Sequence, residues 1–128
     1  MFGFDEGRDN YQQAYHDDNK AELSHEILAG GASFYAMKKF EDHQRNEGKP
    51  VSHAFAKELI GGFAGAEIDR LAETKGADWI DREKAKHQAK KNAEDLYDQH
   101  YGNNYDQYDP SQQDPPQHLR EHFSDNNW

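Results

Sequence analysis

The stretch LIGGFAGA, residues 59–66, places three glycines inside a segment whose apolar pattern is helical. Each glycine costs about 0.8 to 1 kcal/mol relative to alanine within a helix. At 100° per residue the small side chains form one ridge of this helix, made of Gly61, Gly65, Ile68 and Ala72. Because a ridge without bulk lets a second helix approach closely, packing can offset the low helix propensity. The stretch therefore predicts a helix–helix contact surface.

A second, broader face of the same helix carries the large apolar side chains and is predicted to face the core. It consists of Phe55, Leu59, Phe63 and Ala66, flanked by Ala56 and Ile60. A helix over residues 19–43 is expected to cover this face, which leaves the glycine ridge for a third helix or for a second copy. We therefore predict a homo-oligomer, most simply a dimer in which two ridges meet.

Three helices are predicted from capping residues and periodicity. They cover residues 19–43, 52–75 and 77–97. The third is predicted to pack through a narrow small-residue stripe made of Ala85, Ala89, Ala93 and Leu96. The second helix has the clearest ends, since Ser52 is a favourable N-cap and Gly76 follows its last residue. No segment alternates apolar and polar residues over the length of a strand. The predicted fold class is all-α, a small helical bundle built on a helical hairpin with glycine- and alanine-lined helix faces and flexible acidic aromatic tails.

The net charge of −10 is concentrated at the two ends of the chain. Residues 1–18 carry five acids and one base, and residues 98–128 carry six acids and one base. Residues 19–97 carry fourteen acids and thirteen bases, so we predict one helical core domain there, between an N-terminal arm and a C-terminal tail. Nucleic acid is disfavoured as a partner because phosphate binding needs a net basic surface.

Cellular location is predicted from what the sequence lacks. It contains no cysteine, no basic and apolar leader, and no apolar run of about 18 residues. We expect a cytoplasmic protein without disulfides or a membrane span.

The acidic arms contain many aromatic residues, although flexible chain normally has few. They include Phe4, Tyr11 and Tyr15 at one end and Tyr97, Tyr101, Tyr105 and Tyr108 at the other. These side chains either cover core surface of the same molecule or bind a partner protein. The acidic tails are also expected to fold onto the basic residues 82–91.

Histidines supply the candidate metal ligands. His118 and His122 have the i, i+4 spacing that brings two imidazoles to one helix face. His43 and His53 flank the loop between the first two helices, where Asp42 could join them. Solvated histidines are the favoured interpretation in both places, and no cofactor is predicted.

Glu67 is a candidate buried carboxylate because it lies between apolar residues of the broad face. Burial there could raise its pKa and make it a general acid or base. An interhelical pair with Lys39, His25 or another cation is the favoured interpretation. The sequence has no nucleophile elbow, phosphate loop or HExxH motif, so a non-enzymatic protein is favoured over an enzyme.

An internal repeat is indicated at an offset of 32 residues. HEILAGGA, residues 25–32, aligns with KELIGGFA, residues 57–64, so that Gly30 corresponds to Gly62. Two copies favour a duplicated helical hairpin over a longer repeat array. Any two glycine-containing amphipathic helices can also align this well.

Several segments of residues 19–91 resemble a known family. They are KAELSHE, EDH before the loop, GKP, FAGAEIDRLAETKG and the basic run EKAKHQAKK. This run is similar to the fungal CipC-like family, the concanamycin-induced protein C or antibiotic-response proteins. The resemblance implies a small cytosolic stress-associated protein and offers no catalytic residues to transfer. We expect a non-enzymatic stress- or antibiotic-response protein that acts through its helix faces and tails; the alternative is a small-molecule or metal-binding bundle.

Overall fold

The computed structural model describes residues 3–16, 24–74, 81–101, 107–110, 114, 116, 117 and 119. These residues form four helices that pack against one another, and the predicted all-α bundle is confirmed. The helices are α1 (Phe4–His16), α2 (His25–Glu47), α3 (His53–Thr74) and α4 (Arg82–Tyr101). A two-residue strand β1 (Val51–Ser52) pairs antiparallel with β2 (Gln107–Tyr108).

The ends of α2 are set by local capping. Ser24 is the N-cap, and its hydroxyl oxygen accepts the backbone N–H of Ile27 at 3.2 Å. At the other end Gly48 has a φ of 70°, and its N–H donates to the carbonyl of Gln44. The helix extends four residues past the predicted end at residue 43, because the left-handed position needed for termination is supplied by Gly48. The predicted start, at residue 19, lies outside the described residues.

The predicted start of α3 is confirmed. The Ser52 hydroxyl oxygen accepts the N–H of Phe55 at 3.1 Å, as an N-cap side chain does. The helix ends at Thr74, one residue before the prediction, and Gly76 lies outside the described residues.

The first helix, α1, was not predicted. It crosses α2 at a glycine pair, where a Cβ on Gly31 would lie 3.0 Å from the carbonyl oxygen of Asn10 and 3.2 Å from the Cα of Tyr11. Such distances are shorter than ordinary contacts, so the two backbones can meet only because glycine is present. Phe4 and Tyr11 are buried, and this part of the N-terminal arm covers core surface of its own molecule.

The predicted core face of α3 is wrong in part. Phe55 is 51% exposed, Ala66 is exposed, and Leu59 and Phe63 are only half-buried. The buried side consists of small residues mixed with larger aliphatic ones, namely Ala56, Ile60, Ala64, Ile68, Leu71 and Ala72. Close packing of α2 and α4 on this side favours small residues, so side-chain size alone pointed to the wrong face.

Two basic residues of α4 pair with α3, and the expected folding of the acidic tails onto residues 82–91 stays a prediction because most of the tail lies outside the described residues. Lys86 lies 2.8 Å from Asp69, and Arg82 lies 3.6 Å from the same residue. Among the described residues, the acidic partners of these two cations come from α3 and not from the acidic tails. The alanine stripe of α4 is buried against the core, as its spacing predicted.

Candidate functional site

The glycine ridge of α3 is covered by α4 within a single copy of the chain. A Cβ on Gly61 would lie 3.5 Å from the Lys90 Cγ, and one on Gly65 would lie 3.6 Å from its Cε. Ile68 and Ala72 are buried as well. Dimerisation through this ridge stays a prediction, and a second copy could reach it only by displacing α4.

The opposite side of α3 presents an open apolar groove of about 480 Å³. We call it the α3 groove; its lining residues are Phe55, Glu58, Leu59, Gly62 and Phe63. A Cβ placed on Gly62 would meet no atom of the described residues within 4 Å. The floor of the groove is therefore bare backbone, bordered by large apolar side chains that are exposed or half-buried.

The α3 groove corresponds to an occupied surface on α2. At the offset of 32 residues, Gly62 aligns with Gly30 and Phe63 with Gly31. The α2 glycines lie under α1, where a Cβ on Gly30 would come within 2.0 Å of the Asn10 side-chain nitrogen. In the part of the chain that the structure describes, the same face is thus covered by a helix in the first half of the hairpin and open in the second half.

Glu67 is buried, with an exposed fraction of 1%, and accepts hydrogen bonds from two helices. The Tyr15 hydroxyl donates to it at 2.6 Å, and the Lys39 ammonium donates at 2.8 Å. Arg70 lies 3.8 Å away on the same helix. A shallow cleft of about 270 Å³ is lined by Tyr15 and Arg70 but not by Glu67. Because both oxygens of the Glu67 carboxylate have partners, an interhelical ion pair explains its position better than a role as general acid or base.

Glu41 forms a second buried cluster, which sequence reasoning missed. Arg45 donates to its carboxylate at 2.7 Å, the Tyr101 hydroxyl donates a short hydrogen bond, and the Tyr108 hydroxyl lies at 3.4 Å. Phe40 contacts Tyr108 edge-on, with ring centroids 4.8 Å apart. The cluster therefore fastens α4 and β2 to α2.

Burial changes the proton affinities in the Glu41 cluster. Desolvation raises the pKa of Glu41, and the nearby Arg45 charge and the Tyr101 hydroxyl oppose that rise. Desolvation also raises the pKa of Tyr101 and Tyr108, and the adjacent Glu41 charge raises both further. All three groups therefore hold their protons more tightly than they would in water.

The candidate metal ligands are not assembled in the described structure. His53 contacts the Tyr97 hydroxyl at 2.5 Å, whereas His43 is exposed and lies near the Phe63 ring. Asp42 pairs with Lys38 at 2.5 Å. Within the described residues, no three histidine, cysteine or acidic side chains are placed to hold one metal ion. His118 and His122 lie outside that part of the chain.

Part of the Glu41 cluster can be recognised from residue spacing in the sequence. Arg45 follows Glu41 by four residues, and Tyr97 and Tyr101 have the same spacing, so each pair shares a helix face. The sequence gives no sign that the two faces meet, because the pairs are more than fifty residues apart.

Comparison with known proteins gives one match. The model of a family described as "Virulence factor CipC-like" matches residues 10–100, which is more than half of the 128 residues. No curated protein and no solved structure matched the chain. Among the described residues, no helix combines the length and apolar character that a membrane crossing requires.

Proposed function

The chain belongs to the family of virulence factor CipC-like proteins, and from that premise we propose that it is a non-enzymatic protein that acts by self-association. The α3 groove is the docking surface, and α3 of a second copy is its occupant. A role in stress or antibiotic response is part of the same proposal and rests on the family resemblance.

The observation that carries the proposal is the exposure of Phe55 beside the bare backbone of Gly62. Soluble proteins place isolated apolar residues at the surface, but a continuous apolar groove more often marks a binding surface. The related surface on α2 already receives a helix over its glycine pair. A helix is therefore the element that the shape of the α3 groove fits.

A second copy supplies such a helix in the simplest way. Two α3 helices related by a two-fold axis would cross at Gly62 and place Leu59 and Phe63 of each copy against the other. The groove occupies less than half of one helix, so the interface belongs to the small, weak class of associations.

Sedimentation equilibrium of wild type and Gly62→Gln tests the proposal. Since a Cβ at this position meets no atom within 4 Å in the described part of one copy, the variant should fold and gain roughly 0.5 kcal/mol in helix propensity. It should lose self-association, because the new side chain fills the floor of the groove. Stability and association are thus expected to change in opposite directions.

The matched control is Ala54→Gln, which places the same side chain at an exposed position of α3 that does not line the groove. It should associate like wild type. A wild-type chain that is monomeric at tens of micromolar, or a Gly62→Gln chain that associates equally well, would contradict the proposal.

A further inference from the structure

A chain of aromatic rings runs through the interior of the bundle beside Glu41. Ring centroids lie 5.2 Å apart between Tyr97 and Tyr101, and 5.0 Å apart between Tyr101 and Tyr108. All three tyrosines are fully buried. Rings at these separations are in contact, so an electron lost from one of them is replaced from the next more readily than from a molecule that would have to enter the core.

His53 connects this chain of rings to the surface. Its ring is half-buried, lies 5.5 Å from the Tyr97 ring, and contacts the Tyr97 hydroxyl through Nδ1 at 2.5 Å. The buried tyrosines are therefore shielded from direct contact with a dissolved molecule. An oxidant that reaches the surface at His53 is nevertheless only two ring contacts away from Tyr101.

Tyr101 has a proton acceptor already in place. Its hydroxyl donates a short hydrogen bond to the carboxylate of Glu41, which is fully buried. A phenol that loses an electron becomes a strong acid, so oxidation is easiest where the phenolic proton can leave at the same time. Glu41 can take that proton, because desolvation raises its pKa and favours its neutral form.

The tyrosine–carboxylate pair of Tyr15 and Glu67 differs in exposure. The Tyr15 hydroxyl donates to Glu67 at 2.6 Å, but the Tyr15 side chain is half-buried and lines an open cleft. A radical formed there can react with water-borne molecules. A radical enclosed at Tyr101 cannot meet a second radical, so the unpaired electron persists on the Glu41 side.

We propose that the Tyr101–Glu41 pair is a trap for peroxyl radicals and other small one-electron oxidants. A peroxyl radical gains one electron and becomes a peroxide anion. The Tyr101 O–H bond breaks, its proton moves along the hydrogen bond to Glu41, and a neutral tyrosyl radical remains. One chain consumes one oxidant, so the activity is stoichiometric, and it depends neither on the α3 groove nor on self-association.

The test is flash oxidation of the full chain by photogenerated trivalent ruthenium tris(bipyridine), followed by transient absorption and by electron paramagnetic resonance of freeze-trapped samples. A tyrosyl radical should form and outlast the radical that free N-acetyltyrosinamide gives under the same conditions. A fluorinated tyrosine incorporated at position 101 keeps the hydroxyl and should split the resonance signal, which assigns the radical to this ring.

Substitutions separate the roles of the two partners. Glu41→Gln keeps a hydrogen-bond acceptor but cannot take up the proton, so radical formation should slow by about 100-fold. Tyr101→Phe should lose the persistent signal. Tyr15→Phe is the matched control, because it removes a tyrosine that also donates to a buried carboxylate, and it should keep the signal.

Four outcomes would each overturn the proposal. They are a wild-type radical that decays as fast as that of free N-acetyltyrosinamide, an unsplit signal from the fluorinated chain, unchanged radical formation in Glu41→Gln, and loss of the persistent signal in Tyr15→Phe. Circular dichroism checks that each variant is folded. Where Glu41→Gln or Tyr101→Phe unfolds, the fluorinated chain decides, because it retains both the ring and the hydroxyl.

Discussion

The two buried carboxylates among the described residues have similar partners in different surroundings. Glu41 is fully buried, and its cation, Arg45, is 19% exposed. Glu67 is equally inaccessible, but its cations Lys39 and Arg70 are 36% and 59% exposed. Each carboxylate accepts a hydrogen bond from a tyrosine hydroxyl of another helix. One charge cluster is thus enclosed by the protein, and the other reaches water through its cations.

The two clusters attach different parts of the chain to the α2–α3 hairpin, one at the edge of the bundle and one in its interior. The Glu67 cluster holds α1 through Tyr15, at the edge of the bundle. The Glu41 cluster holds α4 and β2 through Tyr101 and Tyr108, within an aromatic environment. Because water can replace lost partners only at the edge, we expect the two clusters to differ in their response to mutation.

The largest expected effect is the loss of the Glu41 carboxylate. Glu41→Ala leaves a partly buried guanidinium and two buried hydroxyls without their acceptor, and should lower the free energy of unfolding by about 3 to 5 kcal/mol. Glu67→Ala should cost about 1 to 3 kcal/mol, since Lys39 and Arg70 can turn to water. Urea denaturation of both variants measures the difference.

Glu41→Gln is the matched control for this pair of variants. It keeps an acceptor for the Tyr101 hydroxyl and removes only the charge, so its cost should fall between those of wild type and Glu41→Ala. Equal destabilisation by Glu41→Ala and Glu67→Ala would show that enclosure does not distinguish the two clusters.

The sequence predicted the parts of the fold that depend on local signals. Ser52 correctly predicted the start of α3, and the alanine spacing correctly predicted the buried stripe of α4. The helix α1 was missed although Phe4, Gly7, Tyr11 and Ala14 recur at helical spacing, because its acidic, glycine-containing sequence has low helix propensity. Its stability comes from contact with α2, which no local signal reveals.

The buried carboxylate sites were harder to predict than the helices, because they are formed by tertiary contacts. Glu67 could be suspected from its position on an apolar helix, whereas the Glu41 cluster joins residues more than fifty positions apart. The predicted core face of α3 differs from the observed one because Phe55 and Phe63 are large, and side-chain size does not measure burial in this helix. In a closely packed bundle the small residues are buried and the large ones can remain outside.

Gly31→Ala should loosen only the Glu67 side of the molecule. Its Cβ would lie 3.0 Å from a carbonyl oxygen of α1 and 3.1 Å from the Ala14 Cβ, so α1 must shift. Overpacking of this kind costs about 1 to 3 kcal/mol. Hydrogen exchange should show lost protection in α1 with unchanged protection at Tyr101.

The control for Gly31→Ala is Gly61→Ala, where the nearest side-chain atom lies at an ordinary contact distance of 3.5 Å. This substitution should instead stabilise α3 by roughly 0.5 to 1 kcal/mol through helix propensity. Lost protection at Tyr101 in Gly31→Ala would mean that the two clusters are coupled and do not fasten the chain independently.

Alkaline pH should distinguish the clusters by the number of tyrosines that they contain. The pKa values of Tyr97, Tyr101 and Tyr108 near Glu41, and of Tyr11 and Tyr15 near Glu67, are all raised by burial. A raised pKa means that the folded state keeps a proton that the unfolded state loses above pH 10, its ordinary tyrosine value. The stabilisation is therefore fully present below pH 10 and is lost as pH rises toward the folded pKa.

Tyr101 and Tyr15, whose pKa values burial raises most strongly, should each lower the free energy of unfolding by about 1.4 kcal/mol at pH 11 relative to neutral pH. Tyr101→Phe and Tyr15→Phe each remove one titrating group, so each variant should lose correspondingly less stability between pH 9 and pH 11 than wild type. Urea denaturation across this range, with tyrosinate absorbance recorded in parallel, measures the change. If wild type and Tyr101→Phe lose the same stability between pH 9 and pH 11, the Tyr101 hydroxyl titrates in the native state, and the proposed enclosure of the Glu41 cluster fails.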